Sequence, residues 1–283
     1  MTSPFVEILD YIKRKYSHIV CCLVVPDLPE FMNASSMERK FYKNAKKLQI
    51  KHFKRKLKKI DCYVFLTKFM KEWFDWDVRY TVVEGISLKT RDDLKRMDQI
   101  EEKRKSILYA GMIEEKYGVV DLVKAFMQID NSEWSLELFG NGSSVNKIRE
   151  LSKKDPRIHL RGMAPNEQVL QEQKEVELLV NPRNDTQSFT KYSFPSKVIE
   201  YMGSGTPMIG YKLSGMPDEY KEYFYCVDKT ENGLYDTLKM AMELSPMERK
   251  KMGLRAQEFI VTKKTAVVQC EKIVEMLRMH KDE

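Results

Sequence analysis

The segment NPRNDTQSFTKYSFPSKVIEYMGSGTP, residues 181–207, contains the side chains with the clearest potential for chemistry. Ser193 is a candidate cap for a helix whose first turn includes Pro195. Lys197 and Glu200 then share one face of this helix, because residues three apart are neighbours on a helix surface. A lysine beside open first-turn N–H groups favours an anion, and the glutamate one turn further would accept hydrogen bonds from the vicinal hydroxyls of a ribose. A solvated Lys/Glu ion pair is the alternative for this segment.

Two other loops contain residues suited to an anionic ligand. The run SILYAGM contains Gly111, and Lys116 follows it just before a helical pattern. The run SLELFG continues into GNGSS, where Gly140 and Gly142 would let the backbone approach a ligand at a helix N-terminus. A tight turn would explain these two glycines equally well.

These loops are positioned by strands that alternate with helical patterns. Short β-branched runs predict strands, and apolar residues spaced i, i+3, i+4 predict the helices between them. Strands connected in this way form a doubly wound parallel sheet, which binds ligands outside the C-terminal ends of its strands. The predicted strands are residues 106–112, 135–140, 158–162, 176–181, 207–211 and 224–228. The helix with Lys197 and Glu200 is predicted at residues 194–203.

The N-terminal part predicts a second, smaller sheet with strands at residues 18–26, 62–66 and 80–85. The polar stretch from Thr90 to Lys105 has no apolar stripe and is typical of a linker. The predicted division is a partial N-terminal domain at 1–95, a linker at 96–105, a ligand-binding domain at 106–265 and a C-terminal helix at 266–283.

Several features follow one another in the order found in a known enzyme family. They are a Lys-x-Gly at Lys116–Gly118, the GNG at 140–142, a strand ending in Arg161–Gly162, the NPR at 181–183 and the block FPSKVIEYMGSGTP at 194–207. Together they resemble the donor-binding half of a GT-B glycosyltransferase, specifically glycosyltransferase family 4 (group 1) of the exopolysaccharide and capsule type. The resemblance covers residues 104–265, and its last block is the most specific part.

The resemblance implies a GT-B-like α/β fold with a complete Rossmann-like C-terminal donor domain and a partial Rossmann-like N-terminal domain. It implies a retaining hexosyltransferase that uses a UDP- or GDP-linked sugar as donor and requires no metal or other cofactor. The acceptor would be a glycan or a lipid-linked saccharide in cell-surface glycan synthesis. The short N-terminal part leaves a second interpretation open. In this interpretation the chain is a nucleotide-sugar-binding subunit, or a truncated non-catalytic fragment, that must form a homo-oligomer or bind a complementing chain.

Carried over by position, the resemblance assigns catalytic roles to Lys197 and Glu200, with Glu200 on the donor ribose. The residues that it assigns to donor binding are Gly111, Lys116, Gly142, Gly162, Ala164, Arg183, Lys197 and Glu200. Two positions depart from the family pattern. Tyr192 stands where a first glutamate usually contacts the sugar, and Met112 stands where an arginine often follows the first strand. Lys116 would therefore carry more of the charge that balances the diphosphate.

Two other enzyme classes are compatible with single features. Asp75-Trp76-Asp77 matches the metal-binding Asp-x-Asp pair of a GT-A glycosyltransferase, but it precedes a predicted strand instead of following one. Gly140 and Gly142 match part of the nicotinamide-dinucleotide fingerprint, but the third glycine is missing and no acid ends the next strand. The four histidines are scattered, which argues against a metal cluster or a catalytic triad.

Positive charge is concentrated between Met37 and Ile60, where eleven Lys and Arg residues accompany a single acid, Glu38. Apolar residues beneath this basic face predict an amphipathic helix. Such a helix is either a solvated surface or a peripheral contact with anionic lipid headgroups. Nucleic acid is disfavoured as a partner because the segment matches no nucleic-acid module.

The composition favours a cytoplasmic protein. No apolar run approaches the roughly 20 residues of a spanning helix, and the N-terminal residues do not have a signal-peptide pattern. The five cysteines have no metal-ligand spacing and are predicted to be reduced thiols. The predicted location is the cytoplasm, with peripheral attachment to the inner face of the plasma membrane.

Overall fold

The computed structural model describes residues 3–16, 18–29, 50–96, 103–186 and 188–281, which divide into two compact units. The first unit takes its described residues from Met1–Gly85, Phe189–Phe194 and Val267–Glu283. The second unit takes its described residues from Ile86–Ser188 and Pro195–Ala266. Nearly all of the last helix of the chain therefore belongs to the first unit.

The first unit is built on a parallel sheet in the order β1-β2-β3. Its strands are β1 Cys22–Val25, β2 Cys62–Phe65 and β3 Tyr80–Val82. Its α-helices are α1 Ser3–Lys15, α2 at residues 50–57 and the last helix of the chain, α10 Ala266–Lys281. Short 3-10 helices lie at Lys68–Trp73 and Ser188–Tyr192.

Strand β2 is the central strand of this sheet, and all four of its residues are buried because apolar clusters pack against both faces. Successive side chains of a strand point to opposite faces of the sheet. Tyr63 and Phe65 accordingly join one apolar cluster, whereas Cys62 and Val64 join another that includes Met276 of α10. This second cluster explains why the last helix is part of the first unit.

The second unit alternates strands and helices along the chain. Its strands are β4 Arg104–Ala110, β5 Ser135–Phe139, β6 Ile158–Gly162, β7 Val176–Asn181, β8 Met208–Gly210 and β9 Tyr225–Cys226. Its α-helices are α3 Arg91–Arg96, α4 Val119–Met127, α5 Val145–Ser152, α6 Asn166–Glu175, α7 Ser196–Gly203, α8 Gly233–Glu243 and α9 Pro246–Lys263. Further 3-10 helices lie at Glu115–Tyr117 and Asp218–Tyr223.

The strands of this unit are all parallel and lie in the order β6-β5-β4-β7-β8-β9. The order along the sheet reverses between β4 and β7, because the chain first builds outward to β6 and then returns to the other side of β4. In doubly wound sheets, ligands bind at such a switch point, outside the C-terminal ends of the strands. The loops that follow β4 and β7 are therefore the first place to look for a site.

Helix α4 supplies much of the core of this unit. Val119, Leu122, Val123 and Phe126 have the spacing that predicts one apolar helix face, and all four are fully buried. They pack in one cluster with alternate residues of β5, including Leu138. The predicted doubly wound sheet is confirmed, and each of its six predicted strands is present within two residues of the predicted start.

The start of α7 differs from the prediction. The helix begins at Ser196, and Pro195 occupies the cap position with φ −71° and ψ 111°, so Ser193 does not cap it. Proline disfavours a helical conformation in the residue before it, which excludes a start at Phe194. The shift leaves Lys197 and Glu200 on the helix, three residues apart.

Most of the predicted linker at 96–105 lies outside the described residues, which end at Arg96 and resume at Lys103. Arg91–Arg96 form helix α3, and strand β4 begins at Arg104, two residues before the predicted start. The first two residues of β4 are exposed and charged, so an apolar pattern does not reveal them. Arg104 lies in register with Val176 of β7 and forms an ion pair with Glu172 of α6.

Most of the predicted basic helix at 37–60 lies outside the described residues, which resume at Ile50. Within the described part, Lys56 and Lys59 form ion pairs with Glu7 and Asp10 of α1. Lys54 lies over the ring of Trp73, 4.4 Å from its centroid. These lysines are therefore partly neutralised or packed within the first unit. Among the helices described, no stretch is both long enough and apolar enough to cross a membrane.

Candidate functional site

Backbone hydrogen bonds join the loops that follow β4, β5 and β6. The N–H of Gly111 donates to the carbonyl oxygen of Phe139 at 2.9 Å, and the N–H of Ile113 donates to that of Asn141 at 2.9 Å. The N–H of Gly140 donates to the carbonyl oxygen of Gly162 at 2.7 Å. These bonds continue the strand pairing past the ends of the strands and hold the three loops at one edge of the sheet.

Two glycines of the GNG loop are required by this packing. A Cβ at Gly140, whose φ is +138°, would lie 1.8 Å from the carbonyl oxygen of Gly111. A Cβ at Gly142 would lie 2.4 Å from the carbonyl oxygen of Ile113. Both glycines thus allow one loop to approach the backbone of another. Gly162 is different, because no atom lies within 4 Å of its Cβ position.

The loop after β4 also meets the loop after β7. Gly118 has φ +76°, and a Cβ there would lie 2.2 Å from the carbonyl oxygen of Pro182. This contact brings Lys116 and Arg183 to the same aromatic ring. The Lys116 Nζ is 5.0 Å, and the Arg183 guanidinium carbon is 5.8 Å, from the centroid of Tyr117. The two predicted cations therefore lie together at the switch point of the sheet.

The surroundings of Lys116 and Arg183 shift the pKa values of these two cations in opposite directions. The Lys116 Nζ lies 2.7 Å from the carboxylate of Glu114, and about half of the lysine side chain is exposed. The hydrogen bond with Glu114 raises the pKa of Lys116. Burial lowers the pKa of Arg183, an effect that Tyr117 and Asp185 oppose. Arginine side chains are not deprotonated in proteins, so Arg183 remains a cation.

Helix α7 carries the predicted Lys197 and Glu200, and they form an ion pair. The Lys197 Nζ donates to Glu200 Oε1 at 2.8 Å. The same oxygen accepts a hydrogen bond of 2.7 Å from Nε2 of Gln173 on α6. Among the described residues, none donates a hydrogen bond to the other carboxylate oxygen, Oε2. The Glu200 side chain is 28% exposed, so Oε2 is the acceptor that remains for a ligand.

Tyr201 joins α7 to strand β4 by hydrogen bonds. Its hydroxyl accepts a hydrogen bond of 2.8 Å from the N–H of Ala110 and donates one of 3.2 Å to the carbonyl oxygen of the same residue. The ring is buried, and burial raises the pKa of the phenol, which therefore stays protonated. This contact connects the residue after Glu200 with the residue before Gly111.

The contacts bring most of the predicted residues together. Gly111, Gly142 and Gly162 belong to the joined loops. Lys116 and Arg183 both contact the ring of Tyr117, and Lys197 forms an ion pair with Glu200. Ala164 is partly exposed, and no hydrogen bond within the described part of the chain joins it to these side chains.

Four side chains of the site were not predicted from the sequence, namely Glu114, Tyr117, Gln173 and Tyr201. Glu114 and Tyr117 have a local signal, since both are close to Lys116 in the chain. Gln173 and Tyr201 reach their partners across 27 and 91 residues, and no local pattern indicates these contacts.

The candidate Asp-x-Asp pair lies elsewhere, in the first unit. Asp75 and Asp77 follow the 3-10 helix Lys68–Trp73, and the carboxylate of Asp77 accepts a hydrogen bond from the N–H of Val78 at 3.1 Å. Over the residues that the structure describes, no group of three or more His, Cys, Asp and Glu side chains is arranged to hold a metal ion.

Comparison with known proteins gives a family match. The model of the family described as "Glycosyl transferases group 1" matches residues 90–259. No curated protein sequence matches the chain.

Solved structures share the fold at low identity. Sucrose-phosphate synthase from Thermosynechococcus elongatus is 16% identical with a TM-score of 0.67, over 97% of this chain and 77% of the other. HepE from Anabaena, solved in complex with UDP, is 12% identical with a TM-score of 0.69, over 98% and 77% of the two chains. TarM is 14% identical with a TM-score of 0.66, over 92% of this chain, which spans about half (51%) of TarM. These glycosyltransferase-like structures support the predicted GT-B fold.

Proposed function

The chain belongs to the group 1 glycosyl transferases, and on that premise we propose that it transfers a sugar from a UDP- or GDP-linked donor to a glycan or a lipid-linked saccharide. The donor site of this proposal lies at the C-terminal edge of the second sheet. It comprises the loops of Gly111, Gly142, Gly162 and Ala164, the side chains of Lys116 and Arg183, and the first turns of α7.

The observation that carries the proposal is the state of the Glu200 carboxylate. One of its oxygens is occupied by Lys197 and Gln173, and the other accepts no hydrogen bond from the described residues. A carboxylate oxygen has room for two donors, and the vicinal hydroxyls of a ribose are two donors at a fixed spacing. Hydrogen bonds to a charged group are stronger than neutral ones, at about 1.5–3 kcal/mol each. We therefore assign Oε2 of Glu200 to the ribose of the donor.

The diphosphate is assigned to Lys116 and Arg183, with Lys197 as a third cation. An ammonium group has three N–H donors, so Lys116 keeps two for a phosphate while one remains on Glu114. Arg183 adds a planar group of donors that suits phosphate oxygens. Charge develops on the leaving nucleoside diphosphate as the bond to the sugar breaks, and fixed cations stabilise that charge without a divalent metal. The UDP in the HepE structure makes UDP the first nucleotide to test.

In this proposal Lys197 and Glu200 are the catalytic residues, because both contact the donor: Lys197 contacts the diphosphate leaving group and Glu200 contacts the ribose. Hexosyl transfer with retention follows from the resemblance of the FPSKVIEYMGSGTP block. The base lies against the loop of Gly162 and Ala164, where open space surrounds the Cβ position of Gly162. The acceptor and the place of reaction are proposed from the basic segment at 37–60. A lipid-linked acceptor would present itself at the cytoplasmic face of the plasma membrane.

Transfer of a radiolabelled sugar tests the proposal. The purified chain is incubated with membrane extract and with labelled UDP-glucose, UDP-galactose or GDP-mannose, and label is counted in the lipid-extractable fraction. We expect incorporation with one of these donors, and about a tenfold or greater loss in Lys116→Met. Lys147→Met is the matched control, since this exposed lysine pairs with Glu115 outside the proposed contacts. Donor binding without incorporation would favour a binding subunit that needs a partner chain.

A further inference from the structure

Gln173 is a buried polar residue that the assigned donor contacts do not use. It lies on α6 with no exposed surface, and its Nε2 donates the 2.7 Å hydrogen bond to Glu200 Oε1. We propose that Gln173 is a positioning residue, which holds the Glu200 carboxylate in the orientation that presents Oε2 to the ribose. The inference rests on the proposed function, because it concerns the same carboxylate.

The chemistry of Gln173 fits this role better than a packing role. Its side-chain carbonyl oxygen is also buried, and no described residue donates a hydrogen bond to it. An unsatisfied buried acceptor lowers stability, and an apolar side chain of the same size would avoid that cost. The amide group is therefore explained by its donor and not by its contribution to the core. The hydrogen bond also fixes the amide orientation, because only the –NH2 end can donate to a carboxylate.

The two donors on Oε1 differ in how firmly they are held. The Lys197 side chain is long, flexible and 33% exposed, whereas the Gln173 side chain on α6 is fully buried. The terminal torsion of a glutamate has a broad preference and does not orient the carboxylate by itself. When Lys197 turns to a phosphate of the donor, Gln173 remains on Oε1. The buried amide thus keeps Oε2 in place while the lysine changes partner.

The experiment compares UDP with 2′,3′-dideoxyuridine diphosphate by calorimetry, with GDP and its dideoxy analogue as the second pair. In Gln173→Met, which keeps the volume but has no donor, we expect UDP affinity to fall about tenfold and affinity for the analogue to change less than twofold. Gln171→Met is the matched control, since Gln171 is exposed on the same helix and bonds to Glu175. It should leave both affinities unchanged. Adding Gln173→Met to Glu200→Gln should cause no further loss.

A second variant covers the case in which Gln173→Met does not fold. Gln173→Glu keeps the shape, and its carboxyl group can donate to Glu200 only when protonated, so UDP affinity should recover as the pH falls. Protonation also relieves the cost of a buried carboxylate, so the diagnostic result is that the preference for UDP over the analogue recovers as the pH falls, whereas a structural role would change both affinities together. If wild type distinguishes UDP from its analogue and both Gln173 variants do so equally well at every pH, the inference is wrong while the ribose contact stands. If wild type binds the two ligands equally, the ribose contact and the inference both fail.

Discussion

Gly140 and Gly111 lie backbone against backbone, so close that a Cβ on Gly140 would stand 1.8 Å from the Gly111 carbonyl oxygen. The φ of Gly140 is +138°, a conformation that residues with a side chain rarely adopt. We expect Gly140→Ala to lower the free energy of unfolding by about 3 kcal/mol, from backbone strain and from overpacking together. Urea denaturation measures this change.

Gly162→Ala provides the control for that measurement. Gly162 has φ +74°, but no atom lies within 4 Å of its Cβ position, so only the left-handed conformation is penalised. The expected cost is about 1–2 kcal/mol. Equal losses in the two variants would show that the contact with Gly111 adds nothing.

The ion pair between Lys116 and Glu114 predicts an unusual gain of affinity. In Glu114→Gln the lysine keeps its charge and has no carboxylate beside it, so we expect nucleoside diphosphates to bind about threefold more tightly at low salt. Lys116→Met should weaken the same binding about tenfold. Calorimetry at low and high ionic strength measures both changes. The matched control is Glu115→Gln, which removes the neighbouring acid that pairs with Lys147. Weaker binding in Glu114→Gln would instead mean that Glu114 orients the lysine for the phosphate.

Lys103 predicts a pH-dependent change in stability. This partly buried lysine donates to Thr206 Oγ1 at 2.6 Å, and burial lowers its pKa from 10.5 to about 8. Between pH 8 and pH 10.5 the unfolded chain binds more protons at this residue than the folded chain, so its contribution to stability rises with pH. Below pH 8 both states are protonated, and the full cost of burying the charge remains.

Lys103→Met should therefore raise the free energy of unfolding at pH 7, by about 1–2 kcal/mol after the lost hydrogen bond is counted. This difference in the free energy of unfolding between Lys103→Met and wild type should decrease as the pH approaches 10. Urea titrations at pH 7 and pH 9.5 measure it, with the exposed Lys105→Met as control. Destabilisation of Lys103→Met at pH 7 would contradict the expected burial cost.

The elements of the second sheet were predictable because each is signalled locally. The runs around β4 to β7 are short and apolar between turn residues, and the stripe of α4 has the helical period. The pair of Lys197 and Glu200 was predictable for the same reason, since both lie on one helix face. The start of α7 was misplaced by two residues because the effect of Pro195 on Phe194 outweighs the capping potential of Ser193.

The rest of the site depends on contacts between distant parts of the chain. The GNG loop indicated either a ligand cradle or a tight turn, and the structure shows backbone packing against Gly111 and Ile113. Gln173 lies in a polar helix whose sequence, NEQVLQEQKE, does not indicate which glutamine is buried. Its hydrogen bond to Glu200 forms because α6 and α7 are adjacent in the folded chain, which the sequence does not show. Local patterns therefore indicate the side chains that we propose to contact a ligand more readily than the side chains that hold them in position.

The basic segment at 37–60 is proposed to bind anionic vesicles and to release them at high salt. Each basic residue near an anionic surface contributes about 1 kcal/mol, so replacing Lys46 and Lys47 by Gln should weaken binding about thirtyfold. Lys56 and Lys59 are already paired with Glu7 and Asp10, and the same replacement there should have a smaller effect. Co-sedimentation with phosphatidylserine vesicles at low and high salt measures this. Binding that does not respond to ionic strength would contradict an electrostatic contact.

The central claim is that Glu200 binds the ribose of a nucleoside diphosphate in a site that needs no divalent metal. Calorimetry of wild type and Glu200→Gln with UDP and its 2′,3′-dideoxy analogue, in the presence of EDTA, tests it most directly, with the exposed Glu258→Gln as control. We predict that Glu200→Gln weakens UDP binding about tenfold or more. The analogue should lose less than twofold, and EDTA should change neither affinity. Equal losses for the two ligands, or binding that disappears on chelation, would contradict the claim.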